Sequence, residues 1–158
     1  YGMQMAIIEF ARNQLNLRNA TSSEFDKKGL PIIGLINEWK KDGKTIKGTD
    51  KDLGGTMRLG SYDAKLKENS MINKIYKKNL IKERHRHRYE VNIAHKEKFE
   101  KNGMIFSGLS PDGELPEIIE LRNHPWFIGV QFHPEFKSRP LAPHPLFSSF
   151  IKASKNHK

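Results

Sequence analysis

The chain opens on hydrophobic positions that recur with a helical period. They lie three or four residues apart over residues 1–17, so they share one face of an amphipathic helix. No capping residue or loop precedes the pattern. We therefore expect the sequence to begin inside a longer protein. The positions of the predicted buried face are Met3, Ala6, Ile7, Phe10 and Ala11.

Several later segments carry the apolar runs, bounded by Gly, Pro and polar clusters, that are typical of strands. The run at 126–132 is continuous, as in a strand buried on both faces. Segment 104–121 is predicted to form a hairpin around a Pro-Asp-Gly turn. The other predicted strands lie within 30–39, 53–66 and 86–92, and the polar segments 18–29 and 40–52 are predicted loops.

Helical spacing returns in three places and completes the predicted architecture. Ser70 suits the N-cap of a helix over 69–81, and Gly103 suits the end of a helical turn over 96–103. A last helix over 144–155 carries an apolar stripe that we expect to face the core. Mixed helices and strands predict an α/β domain built in layers. The stripe consists of Leu146, Phe147, Phe150 and Ile151.

Composition narrows the class of protein. The 158 residues amount to one domain, and 36% hydrophobic with 29% charged residues excludes a disordered tail. No apolar run reaches the roughly 18 residues of a membrane span, and the lack of cysteine excludes a disulfide scaffold. We expect a cytoplasmic protein. The net charge of +10 comes from scattered lysines, so we interpret it as solvated surface and expect no nucleic-acid partner.

The most informative stretch is Gly-Val-Gln-Phe-His-Pro-Glu, residues 129–135. Residues two apart on an extended backbone point to the same side, and Pro134 favours extended geometry at His133. His133 and Glu135 therefore suit the base and the orienting carboxylate of a nucleophilic triad. The alternative is a surface ion pair at the end of a strand. The position after a buried strand favours the site, because sites of α/β proteins form at that edge.

The third member of such a triad would be a serine or cysteine at a sharp turn between a strand and a helix. The start of the first helix suits this turn. Gly2 would allow close packing, and the backbone N–H of Tyr1 would face an oxyanion. We therefore expect the nucleophile immediately before Tyr1, outside this sequence. We also expect this chain alone to be inactive, and an exposed sheet edge to keep it from folding alone.

Taken together, these motifs resemble the C-terminal glutamine amidotransferase domain of the CTP synthase family. The resemblance covers essentially the whole chain, and its specific motifs are YGMQ, LGGTMRLG, ERHRHRYEVN and HPWFIGVQFHPEF. His-Pro-Glu alone is common to class I amidotransferases. The resemblance implies that the chain is the C-terminal portion of one flavodoxin-like α/β domain, with a central, mostly parallel sheet flanked by helices.

The resemblance also implies a reaction. A cysteine thiolate would attack the side-chain amide of L-glutamine, with His133 as general base and Glu135 as its orienting partner. Ammonia would leave, and water would cleave the remaining thioester. The ammonia would pass to an N-terminal synthetase domain, outside this sequence, that aminates UTP to CTP with ATP and Mg²⁺. GTP would activate the glutaminase step, the parent enzyme would be a homotetramer, and this domain would hold no cofactor or metal.

Substrate-binding positions follow from the same resemblance. Glu24 would meet the α-ammonium group of glutamine and Arg88 its α-carboxylate, which suits a zwitterionic substrate. A capping box at Thr21–Glu24 is the alternative for Glu24. The positions lining the turn beside the nucleophile would be Tyr1, Gly2, Met3 and Gln4, of which Gln4 contacts glutamine.

The basic stretch Arg84-His85-Arg86-His87-Arg88 admits several interpretations. On a strand, the arginines share one face and the histidines the other. The histidines could ligate a metal, although no third ligand is nearby. The arginines could bind phosphate. The resemblance explains the stretch best, with Arg88 in the pocket and Arg84 and Arg86 along the approach to it.

The segment 53–60, Leu-Gly-Gly-Thr-Met-Arg-Leu-Gly, lacks the Gly-Lys-Ser/Thr ending of a phosphate-binding loop. The resemblance makes it a lid near the active site that takes part in the response to GTP.

Two alternatives to this function stay open. Another class I amidotransferase, of the GMP synthetase type, would share His-Pro-Glu, but the LGGTMRLG and RHRHRYEVN motifs argue against it. A non-catalytic basic module that binds nucleotide or RNA, or serves assembly, would be favoured if the residue before Tyr1 were not cysteine.

Overall fold

The computed structural model of the chain describes residues 1–35 and 57–156. Helix α1 covers Gly2–Asn13, as its apolar period predicts. Met3, Ile7 and Ala11 are buried, and Phe10 packs against the same core from a half-buried position. The predicted loop 40–52 and the far end of the predicted strand, 36–39, lie outside the described residues.

The described strands form a small sheet and a larger one. In the small sheet, β2 (Leu30–Leu35) lies between β1 (Ala20–Ser22) and β5 (Tyr89–Val91). The larger sheet has the strand order β4-β3-β6-β7-β8. Its members are β3 (Arg58–Leu66), β4 (Leu80–His87), β6 (Met104–Leu109), β7 (Pro116–Leu121) and β8 (Ile128–Val130).

The mixed α/β content agrees with the prediction, but a mostly parallel sheet is not what the described strands form. Only β1 and β2 pair in parallel, and every other pairing between described strands is antiparallel. The reason lies in the connections. Strands β6, β7 and β8 follow one another through the short segments 110–115 and 122–127, and short connections join antiparallel neighbours.

Two strand predictions also need correction. Strand β1 lies inside 18–29, which the sequence predicts to be a loop, because a fully buried three-residue strand is too short to show a period. The apolar run at 126–132 yields only Ile128–Val130, and all three residues are partly exposed. Among the described strands, β8 is an edge strand, which pairs with β7. Within residues 1–35 and 57–156, no second strand pairs with β8 as it would with a fully buried strand.

The short helices begin where their caps predict, but the first of them ends well before the predicted residue 81, and strand β4 already begins at Leu80. Helix α2, Met71–Tyr76, starts at Ser70, whose Oγ accepts a hydrogen bond from the Asn73 N–H. It ends early because Lys77 adopts a left-handed conformation with φ 54°. A 3₁₀ turn, Ile93–His95, leads into α3, Lys96–Lys101, which stops before Gly103 at φ 100°.

The last helix, α4, covers Pro145–Asn156, but its apolar stripe does not face the core as predicted. Leu146 is buried in a cluster with Ile72, whereas Phe147, Phe150 and Ile151 are 42%, 49% and 65% exposed. The helix contacts the domain through its first turn and one side, where Trp126 Nε1 donates to Ser149 Oγ. No helix in the described ranges is long and apolar enough to cross a membrane.

Candidate active site

The candidate base and its carboxylate meet directly after β8. His133 has an extended backbone, with φ −112° and ψ 91°, and the 3₁₀ turn Pro134–Phe136 follows it. This turn brings His133 Nδ1 to 2.7 Å from Glu135 Oε1. Both side chains stay partly open to solvent, at 33% and 56% exposure, so a substrate can reach them.

Strand β4 and an aromatic contact hold this pair in place. The His133 N–H donates to the Arg84 carbonyl at 2.8 Å. The imidazole stacks on the Phe136 ring at 5.2 Å with an interplanar angle of 26°. The Arg86 guanidinium lies 6.0 Å from the centre of the same ring. Strand β4 therefore lies beside the His133–Glu135 pair, and the role of Arg84 and Arg86 along the approach to a pocket stays a prediction.

The electrostatics of the pair suit a general base. Burial acts to raise the pKa of Glu135. Its own backbone N–H, the hydrogen bond to His133 and the charges of His133 and Arg86 outweigh this, so the pKa lies below its usual range. The ionised carboxylate accepts the proton on Nδ1. Nε2 of His133 then carries the lone pair that takes a proton from a nucleophile.

The start of α1 contacts the predicted ammonium-binding residue. Tyr1 Oη donates to Glu24 Oε1 at 2.9 Å, and the Glu24 N–H donates to Ser22 Oγ. The hydrogen bond from Tyr1 and the negative charge of Glu24 raise the pKa of the tyrosine. No helix begins after Thr21, since 20–22 is strand β1 followed by a turn, so the alternative of a capping box is wrong.

Of the two residues after Tyr1, Met3 is buried as its place in the apolar period predicts, whereas Gly2 does not make the close contact expected of it. Met3 is 4% exposed and belongs to the core. A Cβ atom added at Gly2 would meet no described atom within 4 Å. Gly129 shows the close approach instead, because a Cβ added there would lie 3.4 Å from Met3 Cβ and 2.9 Å from Ile119 Cγ1. The glycine that lets α1 pack closely on β8 is therefore on the strand.

Gln4 joins the three segments that carry the candidate site. It is 5% exposed, and its Nε2 donates to the Tyr89 carbonyl at 2.9 Å and to Gln131 Oε1 at 3.2 Å. Tyr89 follows Arg88, and Gln131 lies two residues before His133. One amide thus joins α1 to the segment that follows Arg88 and to the segment that precedes His133.

Arg88 lies at the bend between β4 and β5, in a half-buried position. The side chains before it alternate as predicted: Arg84 and Arg86 are exposed and His85 is buried, while His87 is partly buried. The bend at Arg88 ends this alternation.

A buried charged cluster that the sequence does not predict lies beneath the site. Arg58 Nη1 lies 2.6 Å from Glu117 Oε1 and 3.2 Å from Glu90 Oε1, and all three side chains are at least nine-tenths buried. His85 Nδ1 lies 2.8 Å from His87 Nε2. The sequence does contain one indication of buried polar residues. The alternation along β4 places His85 on the face that packs against the core, where an apolar residue is expected.

Burial governs the ionisation of this cluster. It lowers the pKa of His85 to about 3 and that of His87 to about 4, with the nearby charge of Arg58 acting in the same direction, so both imidazoles are neutral. Burial also raises the pKa of Glu90 and Glu117, while Arg58 opposes that shift. Within the described ranges, no group of three or more metal-ligating side chains could hold a metal, which weakens the alternative of a histidine metal site.

The predicted lid is only partly described. Residues 53–56 lie outside the described residues, whereas Arg58, Leu59 and Gly60 belong to β3. The second half of the motif therefore starts a strand, and Arg58 points into the buried cluster. The lid and its response to GTP stay a prediction.

Comparisons with known proteins agree on one family. The profile of "Glutamine amidotransferase class-I" matches residues 1–153. CTP synthase of Pelagibacter ubique (strain HTCC1062) is 90% identical over 100% of this chain, which spans 29% of that protein. CTP synthase of Hyphomonas neptunium is 59% identical over 98% of the chain and 28% of that protein. The solved glutaminase domain of Trypanosoma brucei CTPS with bound acivicin is 34% identical, with a TM-score of 0.83 over 99% of this chain and 58% of that one. The chain thus spans less than a third of the length of the two CTP synthases from Pelagibacter ubique and Hyphomonas neptunium.

Proposed function

The chain belongs to the class I glutamine amidotransferase family, and from this premise we propose that it is the glutaminase portion of a CTP synthase. It would hydrolyse L-glutamine and supply ammonia for the ATP-dependent amination of UTP to CTP, a ligase reaction of pyrimidine nucleotide biosynthesis. The observation that carries the proposal is the His133–Glu135 contact of 2.7 Å at the end of β8. The relatives named CTP synthase favour this acceptor over that of a GMP synthetase.

The chain contains no cysteine, so the nucleophile of the proposed reaction comes from outside it. We place it immediately before Tyr1 in the full-length protein. His133 Nε2 would take the thiol proton, and Glu135 would stabilise the imidazolium. The thiolate would attack the carboxamide carbon, and the imidazolium would protonate the departing ammonia. With His133 again as base, water would then cleave the thioester to glutamate.

The charges of the predicted binding residues suit free glutamine as the substrate. Arg88 offers a guanidinium for the α-carboxylate and Glu24 a carboxylate for the α-ammonium group. Tyr1 holds Glu24 through its hydroxyl group, and Gln4 lies one helical turn further along α1. Gly2 and Met3 complete the predicted turn beside the nucleophile.

The remaining activities belong, in this proposal, to the part of the relatives that this chain does not span. They include the binding of UTP, ATP and Mg²⁺ in a synthetase domain and assembly into a homotetramer. GTP would activate the glutaminase step through the segment 53–60. We propose a cytoplasmic enzyme whose glutaminase domain itself holds no cofactor.

Glutamate release from glutamine by the full-length protein tests the proposal. Substitution His133→Ala should lower the rate at least about 100-fold, because a general base contributes that much or more. His124→Asn is a matched control, since His124 is exposed and its Nδ1 accepts from the Trp126 N–H, which an asparagine oxygen can replace. Full activity of His133→Ala, or ammonia transfer to XMP rather than UTP, would refute the proposal.

A further inference from the structure

Glu90 ends a buried chain of polar side chains that leads to Gln4. Its side chain is 0% exposed. One oxygen, Oε1, lies 3.2 Å from Arg58 Nη1, and the other, Oε2, accepts from Gln131 Nε2 at 3.1 Å. Gln131 Oε1 in turn accepts from Gln4 Nε2. Both oxygens of Glu90 therefore face hydrogen-bond donors.

The carboxylate of Glu90 determines which way the amide groups of Gln131 and Gln4 are turned. An ionised carboxylate only accepts, so Gln131 must turn its NH₂ group towards Glu90 and its oxygen towards Gln4. Gln4 must then use one N–H for Gln131 and the other for the Tyr89 carbonyl. Its own oxygen is left over. Within residues 1–35 and 57–156, Gln4 Oε1 has no hydrogen-bond partner.

The neighbouring carboxyl group of Glu117 does not orient these amides. The His87 Nδ1–H must point at the Tyr89 carbonyl, 3.2 Å away, so His87 Nε2 accepts from His85 Nδ1. His85 Nε2 then carries a lone pair and faces Glu117 Oε2 at 3.6 Å. Burial raises the pKa of Glu90 to about 8, but both of its oxygens meet donors whereas Glu117 Oε2 meets none, so the proton that the pair shares lies on Glu117 and the negative charge on Glu90.

We propose that Glu90 is a positioning residue of the glutaminase reaction: it fixes the amides of Gln131 and Gln4 so that Gln4 Oε1 faces the substrate as an acceptor. The inference rests on the proposed function, in which Gln4 contacts glutamine. An acceptor at this point suits an N–H donor of glutamine, either the α-ammonium group or the carboxamide. It also links the glutamine site to Arg58 of the 53–60 motif through a single carboxylate.

Glu90→Gln in the full-length protein tests the proposal. Arg58 would hold the new amide oxygen, so the new NH₂ would face Gln131 and reverse both amides. We expect KM for glutamine to rise roughly tenfold or more, as for a lost hydrogen bond to a charged group, and ammonia-dependent CTP formation to stay within about twofold. Glu117→Gln is the matched control, because it removes a buried carboxyl bonded to Arg58 without touching either glutamine. It should leave KM within about twofold.

A double variant distinguishes the orientation of the Gln4 amide from the loss of the charge of Glu90. In Glu90→Gln combined with Gln131→Glu, the new carboxylate accepts from both neighbours, so Gln4 regains its original orientation. KM should return to within about threefold of the unaltered protein. Equal KM changes for Glu90→Gln and Glu117→Gln, or no recovery in the double variant, would overturn the proposal.

Two further readouts keep the outcome decisive. If Glu90→Gln fails to fold, Gln131→Met replaces it, because it removes the amide that orients Gln4 and should raise KM in the same way. If the unaltered protein does not hydrolyse glutamine at all, the proposed function fails, whereas an active protein with an unaffected Glu90→Gln variant refutes only the positioning role.

Discussion

At the scale of single residues, Glu135 can assist His133 in two ways: it orients the imidazole through a hydrogen bond, and it stabilises the imidazolium through its negative charge. A glutamine at position 135 can still accept the Nδ1 proton through its amide oxygen, but it cannot stabilise the imidazolium by charge. We expect Glu135→Gln to lower kcat of glutamine hydrolysis by about 10- to 100-fold, less than loss of the base itself. Steady-state glutamate release by the full-length protein measures this. A loss as large as that of His133→Ala would show that the charge of Glu135, rather than its orientation of the imidazole, supplies most of its contribution.

Another residue-scale prediction concerns His87, whose burial lowers its pKa to about 4. The unfolded chain binds a proton near pH 6.5 and the folded one does not, so this residue costs stability increasingly as pH falls from about 6.5 towards 4. Asn at position 87 removes that dependence and keeps an N–H for the Tyr89 carbonyl. The stability of the unaltered protein minus that of His87→Asn should rise by about 1.4 kcal/mol per pH unit between pH 5 and 6.

Hydrogen exchange of β4 amides in the full-length protein, corrected for the intrinsic effect of pH, gives this difference locally. Glu90 and Glu117, whose pKa values are raised, act on stability in the opposite direction, but they are common to both proteins and cancel in the difference. A difference that is flat with pH would mean that His87 is not buried as described.

At the scale of elements, the packing of α1 on β8 positions the site. A Cβ atom at Gly129 would press on Ile119 and approach Met3, so Gly129→Ala should push the helix away from the strand. We expect a loss of about 1–3 kcal/mol in stability and a raised KM for glutamine. Gly108→Ala is a matched comparison, because its Cβ would lie 2.6 Å from Ile118 Cδ1 on strands away from α1.

Gly108→Ala should therefore lose stability without a change in KM. Thermal unfolding and glutamine kinetics of both variants in the full-length protein provide the measurement. The same rise in KM for both would show that the site responds to general destabilisation of the sheet rather than to the position of α1.

Elements with strong local signals were predictable from the sequence. Helix α1 has a regular apolar period, and α2 begins at a serine cap. The hairpin of β6 and β7 carries its Pro-Asp-Gly turn. Strand β1 and the exposed stripe on α4 were not predictable in this way, because both depend on which elements lie next to them in space.

At the scale of the whole molecule, the parts of the site that are local in sequence could be predicted, and the parts that depend on contacts between distant segments could not. His133 and Glu135 are near in sequence, so their meeting could be predicted. The buried cluster joins Arg58, Glu90 and Glu117 from three different strands, and no local pattern announces that contact. The strand order likewise depends on long-range pairing. That is why the sequence supports an α/β domain but not the antiparallel arrangement of the larger sheet.

Transfer of the glutamine amide nitrogen to CTP can be followed in the full-length protein. Glutamine labelled with ¹⁵N at its side-chain amide is supplied with UTP, ATP and Mg²⁺, and mass spectrometry detects the label in CTP. We expect labelled CTP from the unaltered protein and none from His133→Ala, which should still incorporate label from ¹⁵N-ammonia. Unlabelled product from the unaltered protein, or label transfer that survives His133→Ala, would contradict the account.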